Sequence, residues 1–246
     1  MNEMTLNGDL VIKAIIFDLD NCLVAGDEMG RELFEPAFAA IRQANQGSWE
    51  NSKLELAFED CWRHPFDSVA ERHGFSPPMR EAGWRVFSQL EVLGPMRGYG
   101  DLDLLPRLSV PRFLVTSGFR KLQESKIRSL KFAPLFAGIF VDALGEPNRR
   151  GKQGIFDNIL QDFGLESSQT LVVGDNPDSE ITAGNNLRMP TAQILRPGVT
   201  CDPRARFHVR NLHDVAELAA SPRLAETPSH DANSSPIWIS TRSAHS

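Results

Sequence analysis

Asp18 and Asp20 stand two residues apart in the stretch FDLDNCL, Phe17–Leu23, at the end of a short apolar run. Other reactive side chains follow similar runs further along: Thr116 and Ser117 in LVTSG, Asp175 in VVGDNPDSEITAG, and Lys152 in GKQGIF. Carboxylates brought within a few ångströms repel one another, so either one takes up a proton or a cation lies between them. An all-oxygen site suits Mg2+, a hard ion that keeps several waters. With Lys152 beside such an ion, the site can receive a dianion. The Thr116 hydroxyl and the amides of Ser117 and Gly118 would donate to its oxygens. A phosphoryl group fits that description.

Each of these residues has a plainer reading when taken alone. A strand-ending Asp18 is a turn or cap residue, Thr116-Ser117-Gly118 is a capping turn, and Lys152 is a solvated residue at a helix start. Asp20 weakens the first of these, because alternation along an extended strand aims both carboxylates to one side. In GDNPDSE, Asn176 reads as a helix cap, Pro177 as the first position, and Asp178 and Glu180 as acids complementing the helix dipole. Asp178 keeps that structural reading, whereas Asp175 takes the chemical one.

The elements that must position these groups are legible as alternating patterns. Leu10 to Phe17 is short, β-branched and almost continuously apolar, as a strand buried on both faces should be. Arg112–Val115, Gly138–Val141 and Thr170–Val173 look alike, and Ala192–Leu195 is a weaker fifth strand. Helical spacing separates them: Leu122, Lys126, Ile127 and Leu130; then Ile155, Ile159, Leu160 and Phe163; then the shorter Ala183–Leu187 and Val215–Leu218. Strands alternating with helices predict a doubly wound parallel, Rossmann-like α/β sheet, in which reactive groups collect at the carboxyl ends of the strands.

The interval between the first two strands is far longer than a crossover needs and carries helical stripes instead. These are Phe34, Ala37, Phe38 and Ile41; Leu54, Phe58, Cys61 and Trp62; Phe66, Val69 and Ala70; and Val86, Phe87, Leu90 and Leu93. The division expected is an α/β core over residues 1–23 and 101–220, with an inserted α-helical cap over 24–100. Residues 221–246, with seven Ser and three Pro, cannot offset their ordering entropy and are expected to be a disordered tail.

Composition excludes several other classes. The 246 residues are 41% hydrophobic and 24% charged, which rules out wholesale disorder, collagen and coiled coil. The net charge of −6 disfavours a duplex-binding protein. The apolar run before Asp18 is too short for a signal-peptide core or a membrane span. Cys22, Cys61 and Cys201 form no CxxC pair, so neither a disulfide framework nor a zinc site is indicated, and a reducing cytoplasm fits best.

Taken together and in order, FDLDNCL, LVTSG, GKQGIF and VVGDNPDSEITAG resemble the motifs of the haloacid dehalogenase superfamily, in its branch with a helical cap after the first strand. The resemblance spans residues 10 to 200. It implies that Asp18 is a nucleophile forming an aspartyl-phosphate, and that Asp20 protonates the leaving oxygen and then activates water. It further implies that Asp18, the Asp20 backbone carbonyl and Asp175 hold Mg2+, with Glu180 orienting metal waters from outside the ligand set. Thr116, Ser117, Gly118 and Lys152 would bind the phosphoryl oxygens. Two residues depart from the family pattern. Cys22 stands where Thr is usual, at a position that normally bonds backbone, and Glu180 stands where Asp is commoner.

The implied function is a Mg2+-dependent phosphatase acting on a small phosphorylated metabolite, with neither nucleic acid nor membrane as partner. The retained acid at Asp20 separates it from the dehalogenating relatives. A phosphomutase with the same intermediate is the nearest alternative. A receiver-like signalling domain is the other, although such domains are half this length and lack the insertion. Substrate choice falls to the cap, where Arg63, His64, Arg72, His73, Arg80 and Arg85 give cationic capacity and Trp49, Trp62 and Trp84 aromatic surface. An arginine suits a carboxylate, as in phosphoglycolate, and a tryptophan suits a nucleotide base. Trp62, on an apolar stripe, is expected in the core.

Overall fold

The computed structural model describes residues 10–220. The proposed tail and residues 1–9 lie outside the described residues. Among those described, six parallel strands form one sheet: β1 (Ala14–Phe17), β2 (Arg112–Gly118), β3 (Gly138–Ala143), β4 (Thr170–Gly174), β5 (Thr191–Ile194) and β6 (Phe207–Val209). Their order is β3-β2-β1-β4-β5-β6. The order reverses direction between β1 and β4, and open α/β sheets form ligand crevices at the carboxyl ends of strands at such a point.

Period-two alternation explains why β1, β2 and β4 are apolar almost throughout. Ile15, Phe17, Leu114, Leu171 and Val173 enter one hydrophobic cluster, while Ala14, Ile16, Phe113, Val115 and Val172 enter another. The two clusters are the two faces of the sheet, so each strand buries both of its sides. The register sets Phe17 opposite Leu114 on one side and Val173 on the other. Asp18 is therefore level with Gly174, one residue short of Asp175, so the two acids emerge from neighbouring strands at the same edge.

Between β1 and β2 lie four helices: α1 (Glu35–Asn45), α2 (Asn51–Asp60), α3 (Phe66–His73) and α4 (Pro77–Phe87). Their apolar stripes meet in a third cluster, which includes Phe34, Phe38, Ile41, Phe58, Phe66 and Phe87 and extends onto Phe119, Leu122 and Leu144 of the α/β part. Gly83 on α4 faces Phe66 and Ile41 so closely that a Cβ would strike both. The last helix starts and ends earlier than its predicted stripe. Pro77, with φ suited to a first turn, opens it after Ser76, and Leu90 and Leu93 lie beyond its end at Phe87, with Leu93 89% exposed. The sixth strand has no counterpart in the sequence reading, because three residues, FHV, are too few to carry a period.

After β2 come α5 (Arg120–Leu130), α6 (Gly151–Asp162), α7 (Thr182–Asn186) and α8 (Leu212–Ala220). Arg196, beyond β5, is buried and forms a bidentate pair with Asp101 at 2.9 and 2.9 Å. Its Nε donates to the Cys22 carbonyl at 3.0 Å, and its guanidinium lies 4.2 Å from the Tyr99 ring centroid. One side chain thus joins the return from the helical insertion to the turn that follows β1.

Candidate active site

β1 ends at Phe17, and the chain then turns back on itself instead of continuing extended. The Leu19 carbonyl accepts from the amides of Leu23 at 2.9 Å and Val24 at 3.1 Å. Asn21 takes a left-handed φ of 55°, which asparagine tolerates. The two carboxylates therefore share a cleft because the turn carries them there, and not through strand alternation; both Asp18 and Asp20 line it. The Asp18 amide is held by the Val173 carbonyl at 2.9 Å. The Cys22 thiol donates to that same carbonyl at 3.7 Å, the backbone bond expected of that position.

Asp175 follows β4 directly. Asn176 caps the next turn by accepting from the Asp178 amide at 3.0 Å, as the sequence implies. That turn, Pro177–Ile181, is π-helical and brings Glu180 back beneath the cleft, where it is 1% exposed. Gly174 leaves the space that Glu180 fills, since a Cβ there would collide with the Glu180 side chain. Lys152 sits in the first turn of α6 and is buried. Its Nζ donates to Asp18 Oδ1 at 2.6 Å and to Glu180 Oε2 at 2.8 Å.

Asp18, Asp175 and Glu180 each present an oxygen within 4.8 Å of the others, and all three residues are buried. Such crowding is costly unless charge is compensated. Burial pushes the Asp18 carboxyl up to about 7, with Lys152 opposing the rise and Glu180 adding to it. Asp175 is likewise raised well above the carboxylate range, by burial first and then by the charges of Glu180 and Asp18. Burial works against the charge on Lys152, yet the two adjacent carboxylates outweigh it and raise its pKa. Buried, mutually repelling hard oxygen donors fit a small divalent cation.

Thr116, Ser117 and Gly118 are the last three residues of β2, paired with Val141, Asp142 and Ala143, and not a turn after the strand. All three line the cleft. The Ser117 hydroxyl donates to Asp142 at 2.8 Å, and Arg149 grips the same carboxylate with Nε at 2.7 Å and Nη2 at 2.6 Å. Arg149 also reaches Asp67 at the start of α3, at 2.6 Å, and so ties the insertion to the end of β2.

The partners of Asp20 lie outside the residues that the sequence motifs single out. Lys126 Nζ donates to its Oδ1 at 2.8 Å, and Gln123 Nε2 donates to its Oδ2 at 3.1 Å. Periodicity sets Lys126 on the apolar stripe of α5, and the structure buries it there. An ammonium on a buried helix face, one turn after a glutamine, is the signal that identifies both residues.

The opposite wall comes from the insertion. Of the cationic and aromatic residues singled out there, Trp62, Arg63 and His64 line the cleft. Arg72 and His73 pair with Asp60 instead, Arg80 and Arg85 are exposed, and Trp49 packs on Phe75. Trp84 meets Phe119 edge to face. Trp62 is buried, as its stripe predicts, with Phe34 stacked on it at 4.2 Å and the Arg31 guanidinium 5.2 Å from its centroid. His64 Nδ1 lies 3.2 Å from Asn176 Nδ2, and burial lowers the pKa of the ring.

Residues 12–188 match the family model of the haloacid dehalogenase-like hydrolases. A glyceraldehyde 3-phosphate phosphatase of Methanopyrus kandleri is 24% identical over 210 residues, covering 76% of this chain and 85% of that protein. The HAD hydrolase YfnB of Bacillus subtilis, solved bound to magnesium, superposes with a TM-score of 0.56 at 14% identity over 85% of this chain and 99% of its own. A HAD phosphatase from Thermococcus onnurineus gives 0.56 at 18% identity, over 87% of this chain and 100% of its own.

Proposed function

The chain belongs to the haloacid dehalogenase-like hydrolases, and from that premise we propose that it hydrolyses a small phosphomonoester through a phosphorylated Asp18. The observation that carries the reading is the buried trio of Asp18, Asp175 and Glu180, with Lys152 at 2.6 Å from Asp18 and Asp20 on the same cleft. Asp18 attacks phosphorus, and the bond to the leaving oxygen breaks as Asp20 gives that oxygen a proton. Asp20 then takes a proton from water, whose oxygen attacks phosphorus and releases Asp18. Lys152 holds Asp18 and, with Thr116, Ser117 and Gly118, binds the phosphoryl oxygens. Mg2+ held by Asp18, Asp175 and the Asp20 carbonyl would supply the charge that screens nucleophile from phosphoryl group. Glu180, bonded to Lys152 and to the Asn176 amide at 2.6 Å, fixes that ligand set from beneath.

For the leaving group, the reading favours a phospho-acid such as phosphoglycolate over a nucleotide. The Trp62 ring is already engaged by the stacked Phe34 and by the Arg31 guanidinium, which makes it a poor platform for a base. Arg63 brings a cation to the same wall, suited to a carboxylate, and the His64 ring lies beside it as a polar group. A cytoplasmic setting belongs to the same proposal, supported by free Cys22, Cys61 and Cys201.

The test is phosphate release from p-nitrophenyl phosphate with Mg2+, followed by a panel of phospho-acids, sugar phosphates and nucleotides. Wild type turns over and Asp18→Asn does not; equal rates for the two proteins refute the reading.

A further inference from the structure

We propose that Lys126 and Gln123, two residues of α5, are positioning residues that fix the Asp20 carboxyl for proton transfer. The proposal rests on the reading of Asp20 as the proton donor and acceptor. Both side chains are almost fully buried, Lys126 at 3% exposure and Gln123 at 4%. Burying an ammonium is costly unless a specific partner compensates it. The partner of Lys126 is Asp20 at 2.8 Å, on a carboxylate that stays open to the cleft with 24% of its side chain exposed.

Gln123 supplies the second restraint. Its Nε2 donates to Asp20 Oδ2 at 3.1 Å and to the Ser117 carbonyl at 3.0 Å, which ties the carboxyl to the end of β2. Gly118 makes this approach feasible, because a Cβ there would lie 2.5 Å from Gln123 Nε2. A lone carboxyl rotates freely about its terminal torsion. With one donor on each oxygen it does not, and each oxygen keeps a lone pair for the reacting group. The division of cations is also informative, since Lys152 is bonded to Asp18 and Lys126 to Asp20. As the phosphorus–oxygen bond breaks, its electron pair leaves with the oxygen and the Asp20 proton moves onto that pair. The carboxylate left behind is received by Lys126 and Gln123.

A positioning role differs from a purely structural one in its dependence on the leaving group. A nitrophenolate departs without help, whereas phenol needs its proton. Lys126→Met, assayed with Mg2+, should lose about 10²-fold in kcat/KM on phenyl phosphate, the low end of what a positioned acid contributes, and far less on p-nitrophenyl phosphate. Gln123→Leu should show the same selectivity with a smaller loss, and decides the matter if the first variant does not fold. Adding either change to Asp20→Asn should lower the rate no further. Equal losses on both esters, or none on phenyl phosphate, overturn the proposal while leaving the phosphatase reading intact. Failure of wild type to turn over either ester removes that reading and this one with it.

Discussion

Replacing Lys152 with Met removes the ammonium while keeping much of its apolar stem, and leaves Asp18 and Glu180 without their shared donor. The residue is 7% exposed and bonds both carboxylates, at 2.6 and 2.8 Å. Removing one partner of a buried pair costs about 3–5 kcal/mol. For a chain of this size that corresponds to a fall in Tm of roughly 6–20 °C. The deficit must also depend on pH. Asp18 is held near 7 by burial, with Lys152 opposing the rise. The folded state thus binds more protons than the unfolded state from the ordinary carboxylate range up to about 7, and stability falls as pH rises through that window. Without the ammonium the window extends upward, so the variant loses more than wild type does at alkaline pH. The deficit should be largest at about pH 8 and should shrink towards about pH 5, where Asp18 is protonated in both folded proteins. It does not vanish there, because the bond from Lys152 to Glu180 is lost at every pH. Circular-dichroism melts of both proteins across this range, in EDTA, supply the measurement. A deficit that is constant with pH, or smaller than about 2 °C, refutes the electrostatic account.

Two further outcomes follow from the same geometry. Mg2+ added to EDTA-treated wild type should raise Tm more at about pH 8 than at about pH 5.5, because the cation competes with protons for Asp18 and Asp175; equal shifts, or none, mean that these carboxylates do not share a cation. Asp101→Ala leaves the Arg196 guanidinium buried without its bidentate partner and should cost about 3–5 kcal/mol in urea unfolding. Adding Arg196→Met should recover part of that loss, and no recovery would show that Asp101 acts through something other than this pair.

Much of the architecture is legible because it follows from periodicity. β1 and β4 bury both faces, so their segments read as apolar runs that stop at Asp18 and Asp175. The sheet brings those two stops to within one residue of register at the same edge, where the alternation of strands and helices places them. β6 escaped because its burial comes from β5 and α8 and not from any pattern in three residues. The start of α4 was hidden because Pro77 serves equally as a breaker and as a first-turn residue. Lys126 lies on the buried face that its spacing assigns, but spacing does not name a partner, and here the partner is more than a hundred positions away. Glu180 was legible as a motif position, but its burial and its bond to Lys152 depend on the π-helical turn and on the missing Cβ of Gly174.

The site is arranged against its own electrostatics, and the fold must hold it so. Asp18, Asp20, Asp175 and Glu180 contribute four negative charges when ionised, against two positive charges from Lys126 and Lys152, a formal excess of −2. The donors of Asp20 all lie on α5, and the ammonium shared by Asp18 and Glu180 lies on α6, so Asp20 shares its cation with neither of them. The uncompensated excess therefore falls on the buried trio, where burial and mutual repulsion raise Asp18 and Asp175. The sheet offsets that repulsion with strands whose residues are nearly all inaccessible to water. One divalent cation matches the excess, so any ligand that brings positive charge to the trio recovers free energy the fold has already spent in holding it open. Asp20, paired separately with Lys126 at the rim, lies outside that trio.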